Sequence, residues 1–181
     1  YLNRCPVTID NCRIQDTAGH GVELFSSSAT IKNTTFQNMG DGFYAVALNT
    51  VDVLPSLADN SASGTGIAGV ALPGNWDFGD KVVLNRPGAS LPYLVNGELR
   101  VPEGRTVTVD PGVAFKTDGQ RIMVYGTLLA NGTEAQRILF TSRKVAPAPG
   151  DWKGVYLGPQ AGSSILNYVT IEYAGQSTLG Y

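Results

Sequence analysis

Long hydrophobic runs are missing from this 181-residue chain, and charge of either sign is scarce. No stretch stays apolar for the ~20 residues that a bilayer-crossing helix needs, so no membrane span is expected. Lys and Arg number 13 against 15 Asp and Glu, and the formal charge of −2 offers nucleic acid or an anionic membrane no basic face. Histidine occurs once. His20 has no second His and no acid-rich motif beside it, so it reads as a turn residue and not as a base or metal ligand. The two cysteines, Cys5 and Cys12, flank one short apolar segment. An extended chain advances roughly 3.3 Å per residue, which places them beyond disulfide reach, and they are read as free thiols. A Gly-x-Ser-x-Gly elbow, a His-Glu-x-x-His pair and a phosphate loop are all absent. No segment shows a convincing helical period.

What is present is glycine, at 22 residues, and a 43 % apolar fraction that is ample for a core. Val7-Thr8-Ile9-Asp10-Asn11 returns 22 positions later as Ala29-Thr30-Ile31-Lys32-Asn33, with a looser copy at Val169-Thr170-Ile171-Glu172. Gly-x-Gly followed by an apolar residue marks Gly19–Val22, Gly40–Phe43 and Gly64–Ile67. Such a period, built from short strands and glycine corners, indicates stacked coils. Alternation turns Val7 and Ile9 inward and Thr8 and Asp10 outward, and the next coil repeats this with Ala29 and Ile31. Thr then stacks on Thr, Asp10 stands beside Lys32, and Ile14 and Phe36 take matching inward places. Asn11 and Asn33 fall at the bend, where Asn tolerates the left-handed conformation and can bond its stacked neighbour. The expected organisation is one all-β unit over 1–181. Regular coils of about 22 residues fill 1–72. A Pro/Gly-rich loop or irregular coil follows at 73–92, and a second set of coils at 93–181. A second Pro/Gly loop covers Val145–Gly150. The chain opens inside the pattern, as a mature piece or a fragment would.

Several phrases of the second half carry a resemblance. They are Pro92-Tyr93, Val101-Pro102-Glu103-Gly104, Asp110-Pro111-Gly112-Val113, Gly126-Thr127-Leu128, Phe140-Thr141-Ser142 and Gly150-Asp151-Trp152-Lys153-Gly154-Val155. In these the chain resembles bacterial cell-surface right-handed parallel β-helix repeat proteins, which usually show a second Gly where Lys153 stands. The first half looks like the simpler coils of the same family. The resemblance implies a right-handed parallel β-helix that is extracellular or attached to the cell surface. It implies no activity, because such repeats share no catalytic motif.

Joining the last residue to the first continues the repeat without a gap. Gly180 falls on Gly21, Tyr181 on Val22, Leu2 on Leu24, Val7 on Ala29 and Ile9 on Ile31. End coils of a solenoid expose apolar faces and unpaired strand edges, and no capping helix is evident. The expected partners are therefore copies of the chain itself, head to tail, in a structural filament or stalk. The seam is expected at Leu2, Val7 and Ile9 on one side and Ile165, Val169, Ile171, Leu179 and Tyr181 on the other. At about 4.8 Å per coil, six to eight coils would advance a fibre about 30–40 Å per unit.

Two other readings compete. Trp76, Trp152 and Tyr156 are candidate glycan contacts, since flat rings stack on apolar sugar faces; this gives an adhesin or stalk that holds cell-surface or extracellular polysaccharide. The plainer reading has Trp152 pinning the Val145–Gly150 loop and Trp76 pinning 73–92. Third comes a polysaccharide lyase or glycoside hydrolase, because enzymes share the fold. Hydrolysis needs paired carboxyls, whereas Asp10, Glu172, Asp16 and Asp41 read as solvated. A lyase would call for a Ca²⁺ cluster of acids, for which the signal is weak, and no cofactor is expected. Asn33-Thr34-Thr35 and Asn131-Gly132-Thr133 match the glycosylation sequon.

Overall fold

A computed structural model describes residues 1–176. Each turn of the chain is three short strands separated by bends. β1 (Leu2–Asn3), β2 (Thr8–Asp10) and β3 (Arg13–Gln15) form the first rung. β4 (Val22–Phe25), β5 (Thr30–Lys32) and β6 (Thr35–Gln37) form the second, and β7 (Tyr44–Leu48), β8 (Ser56–Ala58) and β9 (Ser61–Ser63) the third. Next come β10 (Ile67–Leu72), β11 (Trp76–Asp77) and β12 (Lys81–Leu84), then β13 (Tyr93–Val95), β14 (Leu99–Val101) and β15 (Thr106–Val109). β16 (Ala114–Thr117), β17 (Arg121–Val124) and β18 (Thr127–Asn131) precede β19 (Ile138–Ser142), β20 (Gly154–Leu157) and β21 (Ile165–Asn167). β22 (Val169–Ile171) opens a further rung. The described residues hold no helix, and every ladder is parallel.

The early register follows the repeat. Leu2 stands on Leu24, Thr8 on Thr30, Ile9 on Ile31 and Ile14 on Phe36. Inward residues alternate with outward ones, so Leu24, Ile31 and Phe36 are buried while Lys32 meets Asp10 across 3.3 Å outside. Asn11 and Asn33 have φ of 53° and 51°, as the bend requires. The Asn33 amide donates to the Asp10 carboxylate at 2.9 Å, and not to Asn11 directly beneath it. Later turns vary in length: Tyr93 to Phe115 spans 22 residues and Thr106 to Thr127 spans 21, whereas Phe140 to Ile171 spans 31, because residues 143–153 and 158–164 swell that turn.

One face runs through the whole molecule as an eight-stranded sheet, β1-β4-β7-β10-β13-β16-β19-β22. The other two faces change identity. β2-β5-β8 and β3-β6-β9 stop at the third rung, and β11-β14-β17-β20 and β12-β15-β18-β21 begin at the fourth. Residues 73–92, read from sequence as a loop or irregular coil, thus supply two of that rung's strands. Pro73, Pro87 and Pro92 sit at its corners, where proline removes no ladder bond, so the punctuation marks bends and not an excursion. Asn60, buried beneath this switch, stitches it. Its Nδ2 donates to the carbonyls of Ile31 (2.9 Å) and Pro87 (3.0 Å), and its Oδ1 accepts from Thr34 N (3.0 Å). Beyond the switch the core turns aromatic: Tyr93, Phe115 and Phe140 stack with centroids 5.7 and 4.8 Å apart.

Candidate functional site

Two surfaces are candidates, the ends of the stack and one lateral groove. At the first rung Leu2, Val7, Ile9 and Ile14 pack on the core yet stay half-exposed, whereas their counterparts Leu24, Ala29, Ile31 and Phe36 are buried under a neighbour on each side. At the other end β21 and β22 carry no further strand among the described residues. Ile171 continues the inward column above Phe140 and is 44 % exposed; Val169 stands above Ile138. Ile165 does not share that column. It pairs with Leu129 on the outer face, and the inward residue of β21 is Leu166, which stands above Ala130. The strand's phase, set by Asn167 facing out, decides this, and Leu166 was missed because the preceding loop hides the phase in the sequence. Leu179 and Tyr181 lie outside the described residues.

The three aromatic candidates separate. Trp152 is completely buried, and its indole N–H donates to Glu172 O at 2.8 Å. It has no ring face to offer a sugar and instead closes the core under the loop that precedes it. Trp76 and Tyr156 are both exposed. Tyr156 belongs to an outward row with Asp77, Arg100 and Met123, one residue from each of β11, β14, β17 and β20. Beside this row an open groove of ≈ 450 Å³ is lined by Asp77, Arg100, Pro102, Glu103, Tyr125, Pro159 and Gln160. Arg100 Nε donates to Asp77 Oδ1 at 3.0 Å, and the Tyr125 ring meets Tyr156 edge-on at 6.0 Å. Tyr125 and Gln160 escape a reading of the sequence, because they come from different turns and only stacking joins them.

Titration is perturbed most at Tyr93, whose hydroxyl is pushed up by burial, and next at Asp151. Its carboxylate accepts from Ser142 Oγ (2.6 Å), Ala148 N (3.0 Å) and Lys144 Nζ (2.9 Å), which together hold its pKa down from 3.8 to about 2. Hydrogen bonding to Asp151 and the nearby Asp118 raise Lys144 in turn. This cluster straps Val145–Gly150 onto the barrel; it is a fastening. His20 is also structural, with Nδ1 accepting from Tyr44 N at 3.0 Å. Cys5 and Cys12 are free. Among the described residues no three His, Cys, Asp or Glu side chains gather, and no helix is long and apolar enough to cross a membrane.

Residues 1–75 match a family model described as a right handed beta helix region, and residues 78–165 match one described as a pectate-lyase like beta helix domain. The two matches divide at β11, where two of the three faces exchange their sheets. No curated protein and no solved structure matches significantly.

Proposed function

Because this chain is a right-handed β-helix repeat protein, we propose that it serves as a structural unit of an extracellular filament or surface stalk, joined head to tail with copies of itself. The supporting observation is the state of the inner column at the two ends. Between them the inward aliphatic residues are mostly buried, Ala62 only partly, yet among the described residues Ile9 and Ile14 at one end and Leu166 and Ile171 at the other remain open to water. Burying four such side chains is worth about 1.5–3 kcal/mol each, and the strand edges beside them are unpaired templates for a parallel neighbour. Load along such a rod is carried by the ladders and the packed column, which needs no catalytic group. The extracellular setting rests on the sequence resemblance. Sedimentation velocity across a concentration series tests the assembly. The protein should polymerise, and Ile9→Asp or Ile171→Asp should reduce it to single copies, since either change places a charge in the closed column. Unchanged polymers in both variants would remove the role given to the seam.

The lateral groove favours a second reading, a stalk that holds polysaccharide. Tyr125 supplies an apolar ring face, and Arg100, Glu103 and Gln160 supply donors and acceptors for hydroxyls, while Trp76 stands in the row of Leu99 and Ile122, on the side of the strand opposite Asp77. Glycan-array binding that is lost in Tyr125→Ala supports it; an array without signal removes it. Turnover of an acidic polysaccharide, assayed with and without Ca²⁺, would replace both readings with an enzyme.

A further inference from the structure

The last two strands of the stack, β21 of the seventh rung and β22 that opens the next, are spaced like the second and third strands of the first three rungs and not like their own neighbours. In the first three, the inward residues of the second and third strands lie five apart: Ile9 and Ile14, Ile31 and Phe36, Leu57 and Ala62. A left-handed residue follows each of those strands, giving pairs at Asn11 and Asp16, Asn33 and Asn38, and Asp59 and Gly64. The middle rungs lack this device. There the inward residues of the second and third strands, Val101 and Val107 or Val124 and Leu128, are six and four apart. Those on the faces that β21 and β22 continue, Val109 and Phe115 or Ala130 and Phe140, are six and ten apart, and no left-handed pair five apart occurs. At the far end both features return together. Leu166 and Ile171 are five apart, and Tyr168 and Tyr173 have φ of 49° and 59°. The step before, Leu157 to Leu166, is nine residues, as is Leu48 to Leu57 in the third rung, whereas Leu2 to Ile9 and Leu24 to Ile31 are seven.

A rung stacks best on one with the same bends, because parallel ladders keep register only where strands and corners coincide. We infer that the surface formed by β21 and β22 receives the first rung of a second copy in one register, with β2 on β21 and β3 on β22. This rests on the head-to-tail reading and adds to it a specific pairing. Ile9 sits over Leu166 and Ile14 over Ile171, both inward. Asp10 sits over Asn167 and Gln15 over Glu172, both outward. A single register satisfies the inward and outward phases of two strands at once. The third face is entered by the chain itself, since Ala174 bridges to Trp152 and Gln176 N donates to Trp152 O at 3.0 Å. A structural consequence follows. The long sheet ending in β22 continues into the β3-β6-β9 sheet of the next copy, so it shifts by one face at every junction.

Paired cysteines read this register, in a Cys5→Ser, Cys12→Ser background. Residues in register on adjacent rungs lie about 4.8 Å apart, inside disulfide range, whereas a two-residue offset along the strand puts them at roughly 8 Å, outside it. Mild oxidation of Asp10→Cys/Asn167→Cys should give a ladder of covalent oligomers, at least tenfold more than Asp10→Cys/Ile165→Cys. Equal yields, or an excess from the offset pair, would overturn the register and leave assembly standing. Failure of both pairs while the unmodified protein polymerises would do the same. Failure of both together with single copies in sedimentation would remove the head-to-tail reading as well.

Discussion

The two halves of this molecule reach the same three-strand turn by different means. Before Asp77 the bends are made by single left-handed residues, mostly Asn and Asp, and the strands on the two switching faces are three residues long. Outside that column, side chains from adjacent rungs pair as Asn33 with Asp10, Asn38 with Asp16 and Asn49 with Glu23, at 2.9, 2.9 and 3.0 Å. After Asp77 the strands lengthen, the core takes up the Tyr93, Phe115 and Phe140 stack, and loops enter at 143–153 and 158–164. The lesson is that the continuous sheet alone sets the axis. The other two faces are free to change cross-section, provided the junction satisfies its own backbone, which is what Asn60 does.

The comparison can be broken most forcefully in the second half. Trp152→Ala removes a fully buried indole and should cost about 3–5 kcal/mol. In a quasi-one-dimensional stack that loss should concentrate in the rungs after β16. Hydrogen exchange that speeds up equally in Ile31 and Ile122 would contradict local coupling. Asn60→Ala comes next. It orphans Thr34 N and removes one bond each from the Ile31 and Pro87 carbonyls, at roughly 1–3 kcal/mol for the buried donor left without a partner. Chemical denaturation should then split into two transitions, one per half; a single transition at unchanged midpoint would show the junction to be unimportant.

Smaller effects sharpen the contrast in bends. Asn33→Ala should destabilise by roughly 1–2 kcal/mol, because alanine lacks the polar side chain that lets asparagine tolerate φ 51° and the bond to Asp10 is lost. Asn33→Gly should recover most of it, and a glycine variant as unstable as the alanine one would shift the cause from backbone to hydrogen bond. Acid should also loosen the strap on the second half. Asp151 is held at about 2, below its ordinary 3.8, so its contribution is complete above about pH 4 and is lost as pH falls through about 2. In a Trp76→Phe background, Trp152 fluorescence should therefore hold steady down to about pH 4 and change below it, and Asp151→Asn should abolish that step.

The first half was readable because its repeat is strict. Thr8 on Thr30, the Asp10–Lys32 pair and the left-handed Asn11 and Asn33 all stand where a 22-residue period puts them. The switch at 73–92 was hidden, since prolines at corners and prolines in loops look alike in sequence. Trp152 was ambiguous for a related reason: an aromatic beside a Pro/Gly loop can pin the loop or face outward, and only the depth of the core beneath it decides. The groove around Tyr125 was illegible, because its residues come from separate turns that only the stacking brings together.

Electron microscopy of the concentrated protein bears most directly on whether the inner column passes from one copy into the next. The account predicts thin rods of varying length with an axial repeat of roughly 30–35 Å, the rise of one copy's rungs at about 4.8 Å each. Particles of uniform length, each one copy long at every concentration, would contradict it.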